Sequence, residues 1–140
     1  MTYEQIRLAV VSRMAAFQGI EQKRIFYPNA QLPAENLDTS GAFKPPATGL
    51  WCRLHIGHAT AFMAGMADRP HTRKPGIITV QCFARLQTGI KGLNELADAL
   101  EAHFAYWKQG DLECHETSQI DAGEFDGFWQ INVVTRFTAG

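Results

Sequence analysis

The sequence predicts an α+β fold, in which one domain holds a mostly antiparallel sheet of four to five strands and two helices packed on one face. Two observations favour this class. In GIITVQCFAR, apolar residues alternate with other types, as in a half-buried strand: Ile78, Val80, Cys82 and Ala84. After Gly89 and Gly92, the apolar period of LNELADALEAHF becomes three to four residues, which predicts an amphipathic helix. At 140 residues, 46% apolar and 19% charged, the chain has the size of a single domain with one core.

The first element is predicted to be a helix. Thr2 and Gln5 have the spacing of a capping box, and the apolar residues that follow form a helical stripe ending before Gly19: Ile6, Val10, Met14 and Phe17. Residues 24–29, RIFYPN, then predict a strand that Pro28 stops.

Residues 29–49 lack both the helical and the strand period. So long an irregular connection is uncommon in a compact domain unless it is functional, so we interpret it as a binding or assembly arm.

Alternation returns at residues 50–56, and the second face of that strand includes Trp51 and Arg53. HATAFMAG is predicted to continue the strand toward Gly65, with a distortion near Gly57. Residues 66–76 contain basic side chains between two prolines, which predicts an exposed basic loop.

Two strands are predicted after the second helix. Residues 111–124 form an acidic edge strand, and Trp129 to Phe137 form the clearest strand of the chain after a turn at Gly123 to Gly127. The predicted order is therefore helix, three strands, helix, two strands.

Charge is distributed unevenly along the chain. Residues 1–91 contain eleven Lys and Arg against five Asp and Glu, whereas residues 92–140 contain two against nine. Such a chain has complementary surfaces for a second copy of itself. Its overall net charge of −1 makes nucleic-acid binding the weaker interpretation.

The composition favours a cytoplasmic product without a membrane span or secretory signal, because no apolar run is long enough and charges interrupt the amino terminus. Cys52, Cys82 and Cys114 are odd in number and have no short pair spacing, so we expect reduced, buried thiols.

Three kinds of chemical site were considered and none is predicted. Cys52, His55 and His58 come nearest to a metal motif, but strand positions 52 and 55 point to opposite faces. GIKG, residues 89–92, precedes a helix but lacks a phosphate-binding fingerprint. No serine lies in a nucleophile elbow, and adjacent strand residues such as Cys114 and His115 point apart. We therefore expect no catalytic, metal or cofactor residues.

Several segments together resemble the tail terminator, or minor tail, proteins of long-tailed bacteriophages and their prophages. These segments are the early helix, FYPNAQLP, KPPATGLWCRLHI, RKPGIITVQCFA, TGIKGLNELADALEAHF and GFWQINVVTRF. The similarity covers nearly the whole chain and departs from the usual pattern mainly in the length of the 29–49 arm.

The resemblance implies a structural virion protein with no enzymatic activity. Six copies form a ring on the tail tube, stop its growth and join the head, so the implied partners are the chain itself, the tube protein and a head-tail joining protein. The implied location is the virion tail, assembled in the host cytoplasm, where DNA passes through without being bound specifically.

Charge suggests which residues associate in such a ring. We expect the basic loop of one copy to face the acidic segment of the next, through Arg69, Arg73, Lys74, Asp111, Glu113, Glu116 and Asp121. Two alternatives remain open. The acidic residues 111–126 line the DNA channel, or the chain is a small nucleic-acid-binding accessory domain that uses residues 69–74.

Overall fold

The computed structural model describes residues 1–65 and 71–140. Two helices and seven strands follow in the order α1 (Tyr3–Ala15), β1 (Ile25–Phe26), β2 (Trp51–His58), β3 (Phe62–Ala64), β4 (His71–Arg85), α2 (Lys91–Phe104), β5 (Lys108–Gln109), β6 (Leu112–Phe125) and β7 (Phe128–Ala139). The predicted α+β class and single domain are confirmed.

The strands form one mixed sheet that curls into a half-barrel. Its order is β1-β2-β4-β7-β6-β5, and β3 pairs with β4 outside this path. Only β1 is parallel to its described neighbour, β2. The predicted count of four to five strands and the predicted order are wrong because β3 and β5, at three and two residues, are too short to show a period.

The predicted basic loop at 66–76 is also wrong in part. Residues 71–76 belong to β4, and residues 66–70 lie outside the described residues. Pro75 is accommodated because its carbonyl accepts a hydrogen bond from Ala59 N. In an antiparallel strand, the N–H and C=O of one residue point to the same neighbouring strand. The N–H that Pro75 lacks would therefore point toward the break between β2 and β3, and no hydrogen bond to β7 is lost.

Both helices pack on one face of the sheet. The capping box of α1 is formed as predicted: Gln5 N donates to Thr2 Oγ1 at 3.1 Å and Thr2 N donates to Gln5 Oε1 at 2.8 Å. The apolar stripes of α1 and α2 meet the alternating residues of β2, β4 and β7 in one core, which includes Val10, Met14, Leu93, Leu100, Val80, Cys82 and Ile131. We call this the helix face of the sheet.

The opposite face has a separate aromatic cluster at one end of the sheet. Phe26, Trp51, Phe83 and Phe128 are buried there, and the rings of Trp51 and Phe83 stack with centroids 4.1 Å apart. The 29–49 arm covers this cluster, with Phe43 4.9 Å from the Phe26 ring. The arm contains one 3₁₀ turn at Ala34–Asn36 and an isolated antiparallel bridge between Leu37 and Phe43, and it packs on its own sheet.

Candidate self-association surface

The basic residues predicted to associate are in three different situations. Arg69 lies outside the described residues, and Arg73 is exposed on β4 opposite Phe62 of β3. Lys74 is partly buried, donates from Nζ to the main-chain carbonyl of Met1 at 2.6 Å and lies 4.9 Å from the Tyr3 ring centroid. The charge of Lys74 therefore already has contacts within the chain, whereas Arg73 is available to another molecule.

Two of the predicted acidic residues are paired within the chain. The carboxylate of Glu113 lies 3.5 Å from Lys108 Nζ, and that of Glu116 lies 2.7 Å from Arg136 Nε. Asp111 and Asp121 are exposed and form no ion pair with any described residue. Because exposed pairs contribute only about 0 to 1 kcal/mol, Glu113 and Glu116 can exchange partners at small cost.

The sheet register separates the acidic segment into two ends. Lys74 pairs with Ala139, and Ala139 pairs with Leu112, so the start of β6 lies at the same end of the same sheet as the basic residues of β4. Asp121 pairs with Ile131 near the other end. Residues 111–126 therefore do not form one patch. The residues near Asp121 are distant from Arg73, whereas those at the start of β6 are not.

Two bulges determine on which face of the sheet each acidic residue of β6 lies. Register shifts occur between Cys114 and Thr117 and between Asp121 and Gly123. Glu113 and Glu116 consequently face away from the helices, beside Thr138 and Arg136. Asp121 and Glu124 lie on the helix face, opposite Ile131 and Trp129.

The two long outer strands leave open backbone edges on opposite sides of the sheet. β5 pairs only with residues 112–113 of β6, and two further main-chain bonds reach Cys114 and His115 from residues 106–107. Beyond them, residues 116–125 have no described neighbour on that side. On the other side, β1 pairs only with Cys52 and Arg53, so residues 54–58 of β2 are open, with no strand neighbour on that side among residues 1–65 and 71–140.

The two strands differ in their charged residues. β2 contains no acidic residue and has Arg53 where β1 pairs and His55 and His58 in its open part, whereas β6 contains four acidic residues and no Lys or Arg. Such surfaces on opposite sides of one chain suit head-to-tail contact between copies.

A groove follows the open edge of β2. It has a volume of about 480 Å³ and runs between β2, α1 and the start of the arm. Its lining is mainly apolar, with basic or imidazole groups at its margin: Arg7, Val11, Tyr27, Pro28, Ala30, His55, Ile56 and His58. Pro28 ends β1 here, so the chain turns away and leaves the groove open.

The metal motif considered above is divided between the two faces. Cys52 is buried on the helix face, whereas His55 is exposed beside Thr79. Within residues 1–65 and 71–140, no three His, Cys, Asp or Glu side chains come together as metal ligands. Burial raises the pKa of the Cys52 thiol to about 12, so the thiolate that binds metal is disfavoured.

The remaining candidate groups have structural contacts. Gly89 forms a left-handed turn (φ +78°) before α2, whose N-cap is Ile90. Cys114 is buried, and burial raises its pKa to about 11, while His115 Nε2 lies 3.1 Å from Thr138 Oγ1. Ser40 Oγ donates to Asp38 at 2.7 Å.

Sequence reasoning missed the role of Arg53 and Arg85. Both lie on the face opposite the helices, with the Arg53 guanidinium 5.0 Å from the Phe83 ring centroid and that of Arg85 4.5 Å from Phe128. Arg85 also donates to the carbonyl of Pro46, which attaches the arm to β4. The only signal of this role in the sequence was an aromatic residue two positions before each arginine, Trp51 before Arg53 and Phe83 before Arg85.

The comparisons with known proteins concern the fold. No family model matches the chain, and no curated protein matches it. Four solved chains match it. One of them superposes with a TM-score of 0.68 at 18% identity, covering 100% of this chain and 96% of its own, and its name states no function. Such a likeness supports the same fold. None of the described helices has the length and hydropathy to cross a bilayer.

Proposed function

We propose that this chain is a structural subunit of a phage tail, a terminator that forms a ring of six copies on the tail tube. The ring ends tube polymerisation and provides the surface that joins the head. The sequence resemblance is the source of this proposal, and its segments correspond to α1, the arm, β2, β4, α2 and β7 in that order.

One structural observation supports self-association most directly. A single sheet has open edges on opposite sides, with His55 and His58 at one, beside Arg7 of α1, and acidic groups at the other. Contacts between two different surfaces of identical subunits generate a closed ring when the rotation closes. Arg73, which is exposed, adds a further basic group for a neighbouring copy.

The alternative that acidic residues line the DNA channel applies to part of the segment. Glu113 and Glu116 lie on the sheet face without helices, and each already has a cation partner. A surface of paired charges attracts phosphates less than a basic one, so DNA passes without specific binding.

The test is capping of tube growth. Full-length protein is added in small amounts to polymerising tail tube subunits, and tube length is measured by electron microscopy. We expect shorter tubes with a ring at one end. Tubes of unchanged length, together with duplex binding that weakens steeply as salt rises, would instead favour the nucleic-acid-binding alternative.

A charge variant tests the predicted self-association residues. Arg73→Glu changes one exposed charge. Lys74 is left unchanged, because it also contacts Met1 and Tyr3 within the chain. We expect weaker and less salt-sensitive self-association by sedimentation, with Lys91→Glu as an exposed control on α2. Sedimentation of the Arg73 variant that matches the wild type at both low and high salt would remove this residue from the interface.

A further inference from the structure

We infer that neighbouring copies join by adding β6 of one copy to the open edge of β2 of the next, so that their sheets become continuous. The occupant of the groove beside β2 is thus a second copy of this chain. The inference rests on the proposed ring and specifies its main-chain contact.

The two edges match in length. Between its bulges, β6 has a regular stretch of five residues, 117–121, and the open part of β2 has five residues, 54–58. An open strand edge presents main-chain N–H and C=O groups from alternate residues, and these are the groups that a second strand pairs with.

The strand directions also match. β2, β4, β7 and β6 are each antiparallel to the next, so β6 runs opposite to β2. A rotation about an axis roughly along the strands preserves these directions. The β6 of one copy therefore meets the β2 of the next in antiparallel orientation, which the strands of this sheet already use.

Charge favours this pairing on the helix face of the joined sheet. On the helix face, Arg7 lies across the groove from β2, and Asp121 and Glu124 approach from the other copy. Arg7 is paired with Glu4 at 2.5 Å in the single chain and is half exposed, so the pair can rearrange.

Exposed apolar side chains are available at the same edge. Ile120 and Phe125 of β6 are 51% and 54% exposed. Ile120 shares the face of His55, away from the helices. On the helix face, the groove beside β2 has Ile56, Tyr27 and Pro28 in its lining. Covering apolar groups on both strands supplies the hydrophobic contribution that exposed ion pairs lack.

Cysteine cross-linking tests this pairing in the full chain. His55→Cys and Ile120→Cys are combined, because both side chains are exposed on the same face and the three native cysteines are buried. Under mild oxidation we expect intermolecular disulfides that link copies into a ladder up to the size of the ring on non-reducing gels. The control pairs Ser12→Cys, exposed on α1, with Ile120→Cys and should give no ladder.

A second variant avoids dependence on disulfide geometry. His55→Asp places a carboxylate opposite the apolar Ile120, on a strand edge with four acidic residues, and should weaken self-association about fivefold. Thr60→Asp should not weaken self-association, because Thr60 is exposed beyond the end of β2.

The outcomes separate this inference from the proposed function. If the unmodified chain forms a ring but neither the cross-link nor the His55→Asp effect is found, the strand pairing is wrong and the ring stands. A chain that stays monomeric at every concentration, and does not cap tubes, refutes both.

Discussion

Arg13 and His103 each contact the main-chain carbonyl of the other. Arg13 donates to His103 O from Nε at 3.0 Å and from Nη2 at 2.6 Å, and His103 Nε2 lies 2.6 Å from Arg13 O. A carbonyl oxygen only accepts, so Nε2 bears the hydrogen. These hydrogen bonds join the last turn of α1 to the last turn of α2. The Arg13 carbonyl also accepts a hydrogen bond from Ala16 N at 3.2 Å.

The first prediction concerns this contact. Arg13→Met should lower the free energy of unfolding by about 2 kcal/mol, because hydrogen bonds from a charged donor are lost and the His103 carbonyl is left without them. Urea denaturation measures the change. Arg7→Met, on the exposed side of α1, should change it by less than about 0.5 kcal/mol. Equal losses in the two variants would show that the Arg13 contact is not stabilising.

Acid should destabilise the fold through His103. Burial lowers the pKa of His103 from its usual 6.5. The unfolded chain therefore takes up a proton before the folded chain does, so this contribution to stability is present above pH 6.5 and is lost as the pH falls through the lowered value. We expect the urea midpoint to fall more between pH 7 and pH 5 in the wild type than in His103→Gln. Parallel pH profiles would contradict the assignment.

The three native thiols should be unreactive in the folded chain. Burial raises the pKa of Cys52 to about 12 and that of Cys114 to about 11, and that of Cys82 is also well above its usual 9.0. At pH 8 a thiol reagent should label none of them natively and all three in denaturant, whereas Ser12→Cys, exposed on α1, should add one rapidly labelled group. Rapid native labelling of wild-type protein would show that the core opens.

The raised thiol pKa values also predict alkaline destabilisation. Above pH 9.0 the unfolded chain ionises while the folded chain keeps its protons, so stability declines as the pH rises toward about 12 for Cys52. Cys52→Ala should reduce this decline.

Gly76 should tolerate no side chain, because β2 and β4 approach closely there. A Cβ atom would lie 2.3 Å from Gly57 O and 2.5 Å from Phe137 Cζ. Gly76→Ala should therefore cost about 1 to 3 kcal/mol through strand separation. Gly92→Ala in α2 meets only Leu50 at 3.4 Å and should be neutral or stabilising. The thermal unfolding midpoints of the two variants, each compared with the wild type, test this difference.

The sequence predicted elements with a long, clear period better than it predicted their connections. The capping box at Thr2 and the alternation around Val80 correspond to α1 and β4 because each depends on local chemistry. β3 and β5 depend on neighbouring strands, so no local pattern marks them. The same limit applies to the candidate surface. The acidic composition of β6 was visible, whereas its ion pairs and open edge depend on contacts with Lys108, Arg136 and β5.

The bulges of β6 have one more consequence. They leave Asp121 and Glu124 together on the helix face, without a cation partner among the described residues, while Glu113 and Glu116 lie on the other face. Two β6 edges meeting about a two-fold axis would bring like charges together along the seam and gain no basic group. A symmetric dimer through this strand is therefore disfavoured, and a partner that aligns with it must supply positive charge both above and below the plane of the sheet.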